Sequence, residues 1–119
     1  MKALDLKKIY EYQRAFVKER EWDQFHTPKN LAMALAGESA ELLEIFQWLT
    51  AEESQSVMSD PEKAEAVRHE VSDVLFYLLR LADKLGVDLD AAFWEKQRLN
   101  AQRYPADKAR GSARKYTEI

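Results

Sequence analysis

Glu38 and Glu41 stand three residues apart in a stretch whose apolar residues recur at helical spacing. The stripe runs Leu31, Leu35, position 38, Leu42, Ile45, Leu49, with steps of four and three. Such a seam faces a core, so position 38 should be apolar, yet it holds a glutamate. Residues three apart lie about 60° around a helix, which turns Glu41 to the same side. A second stretch repeats the oddity. Beside a stripe of Val67, Val71, Val74, Leu78, Leu81 and Leu85 run Glu70, Asp73 and Tyr77, again at steps of three and four. Two facing helices would bring four carboxylates to one space. Like charges repel, and burial disfavours the ionised form. Few cations lie nearby in sequence, so a divalent ion is the natural counter-charge. Hard oxygen ligands suit Mg²⁺, with Mn²⁺ an alternative, and open coordination positions can take water and phosphate oxygens.

Other readings compete. E-x-x-E pairs are frequent on solvated helix faces, and Glu44, Glu52, Glu53, Glu62 and Glu65 are read that way. Di-iron bundles use Glu-x-x-His motifs on two helices. Here Ala66 precedes His69 by three, and His26 falls in a connecting segment, so the imidazoles for redox chemistry are missing. His69 is read as a residue of the solvent edge, or one that supports a ligand, and not as a ligand itself. An all-oxygen site favours a Lewis-acid metal for phosphoryl chemistry.

The elements that must position these groups follow from the breakers. The chain has 119 residues, only three Gly and three Pro, and no Cys. It is rich in Ala, Leu, Glu, Lys, Arg and Gln, which predicts an all-α fold. A first helix is expected over Leu4–Arg20, and an ordered connection with aromatic anchors over Glu21–Lys29. The second helix runs from Pro28 to Leu49, and residues 50–60 read as a polar linker. Asp60-Pro61 opens a third helix that Gly86 stops; Asp88 caps a fourth, which ends before Pro105. Four main helices with short connections predict a four-helix bundle. Residues 1–105 read as the helical catalytic part and 106–119 as a basic tail of the same single domain.

Composition excludes several classes. Without Cys there is no disulfide scaffold, thiolate zinc site or cysteine nucleophile. A net charge of −3 disfavours binding to nucleic-acid polymers through their phosphates. No apolar run reaches the ~18 residues of a membrane span. The charged N-terminal segment lacks a secretory core, so a cytoplasmic location is expected.

Longer motifs now add a family resemblance. Arg20–His26 (REWDQFH) is similar to an RDWEQFH-like stretch, followed by Pro28-Lys29-Asn30-Leu31. Glu38–Trp48 fits ExxELxExFQW, and Glu70–Leu75 fits ExxDVL. Asn100–Pro105 (NAQRYP), Arg110-Gly111-Ser112 and Lys115-Tyr116 complete the set. In this order they resemble the MazG-like all-α nucleoside triphosphate pyrophosphohydrolases, in the single-domain dCTP pyrophosphatase branch, from about residue 12 to 117. One departure is Glu21, where that stretch often has Asp. The resemblance implies cleavage between the α- and β-phosphates, giving a nucleoside monophosphate and pyrophosphate. It implies that Glu38, Glu41, Glu70 and Asp73 hold Mg²⁺. It also implies a homo-oligomer, a tetramer built as a dimer of dimers, with sites completed between subunits. The implied substrate is dCTP or a modified dCTP, and the role is removal of unwanted deoxynucleotides.

The remaining candidates can be read physically. Lys96, Asn100 and Arg103 share one face of the fourth helix and can donate to phosphate oxygens, though the same spacing suits a solvated face. Trp22 and Trp48 are candidates to stack on a base, against ordinary packing as the alternative. Gln13 can read a base edge because its amide both donates and accepts. Tyr77 can contact sugar or a metal ligand, or simply be a bundle tyrosine. Phe25, Phe46, Phe93 and Trp94 are left to core or subunit interface. The tail carries Lys108, Arg110, Arg114 and Lys115 against Asp107 and Glu118, so it either closes over phosphates or stays loose. The competing function is a non-catalytic helical adaptor whose acidic seam meets a basic partner.

Overall fold

The computed structural model describes residues 1–119, and every regular element in it is helical. Helix α1 spans Leu6–Glu19 and starts at Asp5, whose carboxylate accepts from the Lys8 N–H at 3.1 Å. Its end is unusual. The Glu21 N–H donates to the Lys18 carbonyl and the Trp22 N–H to the Val17 carbonyl, at 3.1 and 3.0 Å. That pair of bonds is a Schellman stop, which needs a left-handed residue. Glycine usually supplies it; here Glu21 does, at φ 54°. The stop turns the chain sharply and sets Trp22 edge-on to Phe16, with ring centroids 5.7 Å apart.

After a 3-10 turn at Asp23–Phe25, α2 spans Pro28–Phe46. Proline fills its first position, as the sequence predicts, and Thr27 caps it. It ends three residues short of the expected Leu49. The expected linker is also more ordered than its polarity implies. Thr50 and Glu53 form a reciprocal capping box on a one-turn helix α3, Ala51–Ser54, and a 3-10 turn at Val57–Ser59 buries Val57. Helix α4, the third long helix, spans Pro61–Leu85. Asp60 accepts from the N–H groups of Glu62 and Lys63, and Gly86 closes the far end at φ 65°.

The chain divides into two compact units, Met1–Gly86 and Val87–Ile119. In the first, α2 packs along α4 and α1 also lies against α4. The fully enclosed side chains are Val17, Leu31 and Leu79, joined by Val57, Ala64 and Ala82. The stripe expected for this third long helix is only half right. Val71, Leu78 and Leu85 are exposed, while Leu79, Arg80 and Ala82 are buried. Apolar residues occupy more than one face of α4, so spacing alone cannot say which face meets the neighbouring helices. Val71, Leu78 and Leu85 form their own outward row at seven-residue steps.

The second unit holds α5, Leu89–Arg103, capped by Asp88, and a one-turn helix α6, Ala106–Ala109. Helix α5 buries no residue fully, and Phe93 and Trp94 on it are exposed. Phe25 is exposed too, while Phe46 is half-buried, so the first three of these aromatics are not core residues of this chain. A 3-10 turn at Tyr116–Glu118 brings Tyr116 edge-on to Tyr104 and under the Arg103 guanidinium, 4.7 Å from the ring centre. No helix is long and apolar enough to cross a membrane.

Candidate metal centre

Close packing of α2 on α4 decides where the carboxylates fall. Glu38, Glu41 and Glu70 each offer an oxygen such that all three atoms lie within 4.8 Å of one another. Glu38 and Glu70 are half-buried and Glu41 is exposed. Asp73, one turn beyond Glu70, is exposed and stands outside that trio. A cavity of about 470 Å³ opens beside the group, lined by Glu41, Glu44, Ile45, Ala66 and Glu70. Glu44, assigned to a solvated face by its sequence, is therefore at the rim.

The electrostatics are those of an uncompensated anion cluster. None of Glu38, Glu41, Glu70 and Asp73 has a Lys, Arg or His partner within 4.0 Å. Burial pushes the Glu38 carboxyl up to about 7; contact with the carboxyls of Glu41 and Glu70, and the charges of Glu41 and Asp73, act in the same direction. Burial also raises Glu70; contact with the Glu38 carboxyl opposes this, and Glu41 and Asp73 add to it. The Tyr77 hydroxyl is raised by burial first and then by the charges of Glu38 and Asp73, which places its ring beside the cluster.

Two buried oxygens here have no hydrogen-bond partner, Glu38 Oε2 and Glu70 Oε2. Buried polar atoms are almost always satisfied, so an orphaned pair needs a cause. A divalent cation fits this donor set: converging hard carboxylate oxygens, no nearby cation, and an open side for further ligands. The residues present are thus suited to hold a metal ion.

Next to the cluster lies an aromatic wall. Phe76 meets Tyr77 at 5.2 Å and Phe16 at 6.2 Å between ring centres, and Phe16 continues to Trp22. Trp22 also faces His26 at 6.5 Å. Gln13, one turn before Phe16, is buried at 3% exposure and donates from Nε2 to the Phe76 carbonyl at 3.3 Å. Trp22 is 42% exposed and Trp48, at 87%, projects almost wholly into solvent. Packing therefore does not account for Trp48.

Lys96, Asn100 and Arg103 sit on α5 in the second unit. Lys96 is exposed; Asn100 donates weakly to Gln97 Oε1 at 3.5 Å, and Arg103 stacks on Tyr116. His69 is exposed, 3.9 Å from Glu65, as expected of a solvent-edge residue.

An ion network centred on a buried arginine escaped the sequence reading. Arg80, 3% exposed, donates to His26 Nδ1 and Asp23 Oδ1, and lies 3.6 Å from Asp83. Lys84 joins through Asp23 at 2.7 Å, and Arg14 clasps Asp83 with bonds of 2.6 and 2.8 Å. The available signal was an arginine between Leu79 and Leu81 with an aspartate three residues on.

The chain belongs to the MazG-like family, whose model matches residues 34–119. It is 46% identical over 114 residues to a Homo sapiens protein named dCTP pyrophosphatase 1, covering 96% of this chain and 67% of that protein. The Bos taurus protein of the same name is 44% identical, with 96% and 68% covered. Among solved structures, a pyrophosphatase from Archaeoglobus fulgidus superposes with a TM-score of 0.79 at 36% identity, covering 88% of this chain and 96% of that one.

Proposed function

We propose that the protein is a Mg²⁺-dependent nucleoside triphosphate pyrophosphohydrolase that cleaves dCTP, or a modified dCTP, to the monophosphate and pyrophosphate. The observation that carries this reading is the trio of Glu38, Glu41 and Glu70 oxygens within 4.8 Å, with two of their buried atoms unpartnered. The relatives named dCTP pyrophosphatase support the choice of base.

Glu38, Glu41 and Glu70, with Asp73 as the fourth ligand, would hold the ion. When bound, Mg²⁺ supplies Lewis-acid stabilisation of charge on the phosphate oxygens. The chain's own groups do the rest. One of the cluster carboxylates orients a water toward the α-phosphorus; the new P–O bond forms as the bond to the bridging oxygen breaks, and pyrophosphate departs with that oxygen. Lys96 and Arg103 bind its charge and Asn100 donates to it, with 106–119 as a basic tail closing over the phosphates. Trp22 and Trp48 stack on the base, Gln13 meets its edge, and Tyr77 supports the sugar or a ligand carboxylate.

The exposed row of Val71, Leu78 and Leu85 supports assembly as a homo-oligomer, which we take to be a tetramer of paired dimers. A cytoplasmic role in clearing unwanted deoxynucleotides follows from this activity. The reading is tested by incubating the protein with dCTP and Mg²⁺ and resolving products by ion-exchange chromatography. dCMP and pyrophosphate in equal amounts are expected. Absence of turnover on all common triphosphates would favour the adaptor with an acidic seam, and release of orthophosphate would place cleavage elsewhere.

A further inference from the structure

Trp22 leads into a segment that buries nothing. No residue of the turn Asp23–Phe25 is buried, and a cavity of about 440 Å³ opens between the turn, α1 and α4, with Val17, Glu21, Asp23, Gln24 and Arg80 in its lining. Apolar burial therefore does little to fix where the turn sits. Beyond the edge contact of Trp22 on Phe16, the side-chain bonds that reach from this segment to a distant part of the chain are polar, and they converge on α4.

Arg80 is their centre. Its Nε donates to His26 Nδ1 at 3.2 Å, its Nη2 to Asp23 Oδ1 at 3.4 Å, and its Nη1 lies 3.6 Å from Asp83 Oδ2. A guanidinium is a rigid planar fork, so these three directions are fixed relative to one another. His26 in turn lies against Trp22, with ring centres 6.5 Å apart. The partners do not depend on Arg80 for their charge: Asp23 also meets Lys84 at 2.7 Å, and Asp83 also meets Arg14 at 2.6 Å. What Arg80 adds is the placement of the turn.

Its position on α4 gives that placement a use. Glu70, Asp73, Tyr77 and Arg80 follow one another at steps of three, four and three, so the arginine continues the row that carries the carboxylates. Seven residues separate Asp73 from Arg80, about 10 Å along a helix axis. One rod thus carries the metal-centre carboxylates at one level and the anchor of the Trp22 segment two turns on. We propose that Arg80 is a positioning residue for the nucleotide: through His26 and Asp23 it holds Trp22 in place to stack on the base. This rests on the pyrophosphohydrolase reading above, in which Trp22 meets the base.

The test is steady-state kinetics on dCTP for wild type, Arg80→Met, Trp22→Ala and the double variant, with a thermal melt of each. Arg80→Met should raise KM about fivefold or more and leave kcat within about twofold, the pattern of lost binding that is uniform through the reaction. In the Trp22→Ala background the same substitution should move KM by less than about twofold, because the ring it positions is gone. A lower melting temperature with KM unchanged, as a merely structural arginine predicts, overturns the proposal. So does an equal rise in KM with and without Trp22, or a fall in kcat at constant KM. His26→Phe keeps a ring but removes the acceptor, and it carries the same comparison if Arg80→Met does not melt cooperatively; loss of cooperative melting in both makes the pair a folding element and overturns the proposal too. In all these cases wild-type turnover of dCTP leaves the pyrophosphohydrolase reading standing. A wild type that neither binds nor cleaves any triphosphate sinks both.

Discussion

Arg80 donates from Nε to Nδ1 of His26 across 3.2 Å, joining residues that are 54 positions apart. The bond fixes the imidazole: Nδ1 accepts, so a neutral ring carries its proton on Nε2. It also ties the segment holding Trp22 to α4, the helix that carries Glu70 and Asp73. Burial lowers the His26 pKa, the positive charges of Arg80 and Lys84 lower it further, and Asp23 opposes them.

That lowered value predicts a pH dependence of stability. The unfolded ring titrates near its ordinary 6.5 and the folded ring below it. As pH falls, the unfolded chain takes up the proton first, so stability is lost progressively below about 6.5. His26→Asn keeps an acceptor near the Nδ1 position without a titrating group. Glu38 and Glu70 have raised values and pull the other way, losing their contribution as pH rises, but they are common to both proteins. Melting temperatures from pH 5 to 7.5 should show the wild type falling relative to His26→Asn on the acid side; parallel curves would refute the assignment.

The Schellman stop at Glu21 stores backbone strain at φ 54°. Glu21→Gly relieves it without touching a recorded side-chain bond of Glu21, because that residue bonds through its backbone, donating its N–H to Lys18 and accepting from Gln24 at its carbonyl. We expect a gain of about 0.5–1 kcal/mol by urea denaturation, since glycine adopts this region freely while its added unfolded-state entropy offsets part of the relief. Destabilisation of similar size would mean that the left-handed geometry is not strained here.

Glu38→Gln separates function from stability. It removes one charge from a repelling group, so metal-free protein at pH 8 should melt no lower than wild type. Turnover of dCTP should drop by a factor of about 100 or more, as expected when a group acting directly on the transition state is lost. Wild-type turnover in this variant would remove Glu38 from the ligand set.

The sequence carried the helical elements well because their caps are local chemistry. Asp60 and Asp88, read as caps, accept from first-turn N–H groups, and Gly86 takes the left-handed stop; Asp5, which falls inside the expected first helix, and Thr27 cap their helices in the same way without having been read so. The glutamate on an apolar stripe was likewise visible, since it violates a pattern. What spacing could not give was the choice of face on α4, where Val71 and Leu78 look as apolar as Leu79. The Arg80 network was hidden for a related reason. Its partners, His26 and Asp23, lie in a connection whose path depends on a left-handed glutamate that no residue preference announces.

Trp48 is so exposed that its removal should leave folding nearly untouched. For Trp48→Ala we expect a stability change within about 0.5 kcal/mol, typical of open surface positions. KM for dCTP should rise several-fold, with affinity for Mn²⁺, followed by electron paramagnetic resonance, little altered. A parallel loss of metal and nucleotide binding would point to collapse of the site instead of a lost stacking contact.

In the proposed mechanism, carboxylates from α2 and α4 share one divalent ion. Calorimetric titration of Mg²⁺ into metal-free protein saturated with a non-hydrolysable dCTP analogue tests it most directly, with Glu38→Gln run alongside. We predict saturable uptake by the wild type and a loss of most of that affinity in the variant. Identical isotherms for the two proteins, or no heat beyond that of the nucleotide alone, would contradict it.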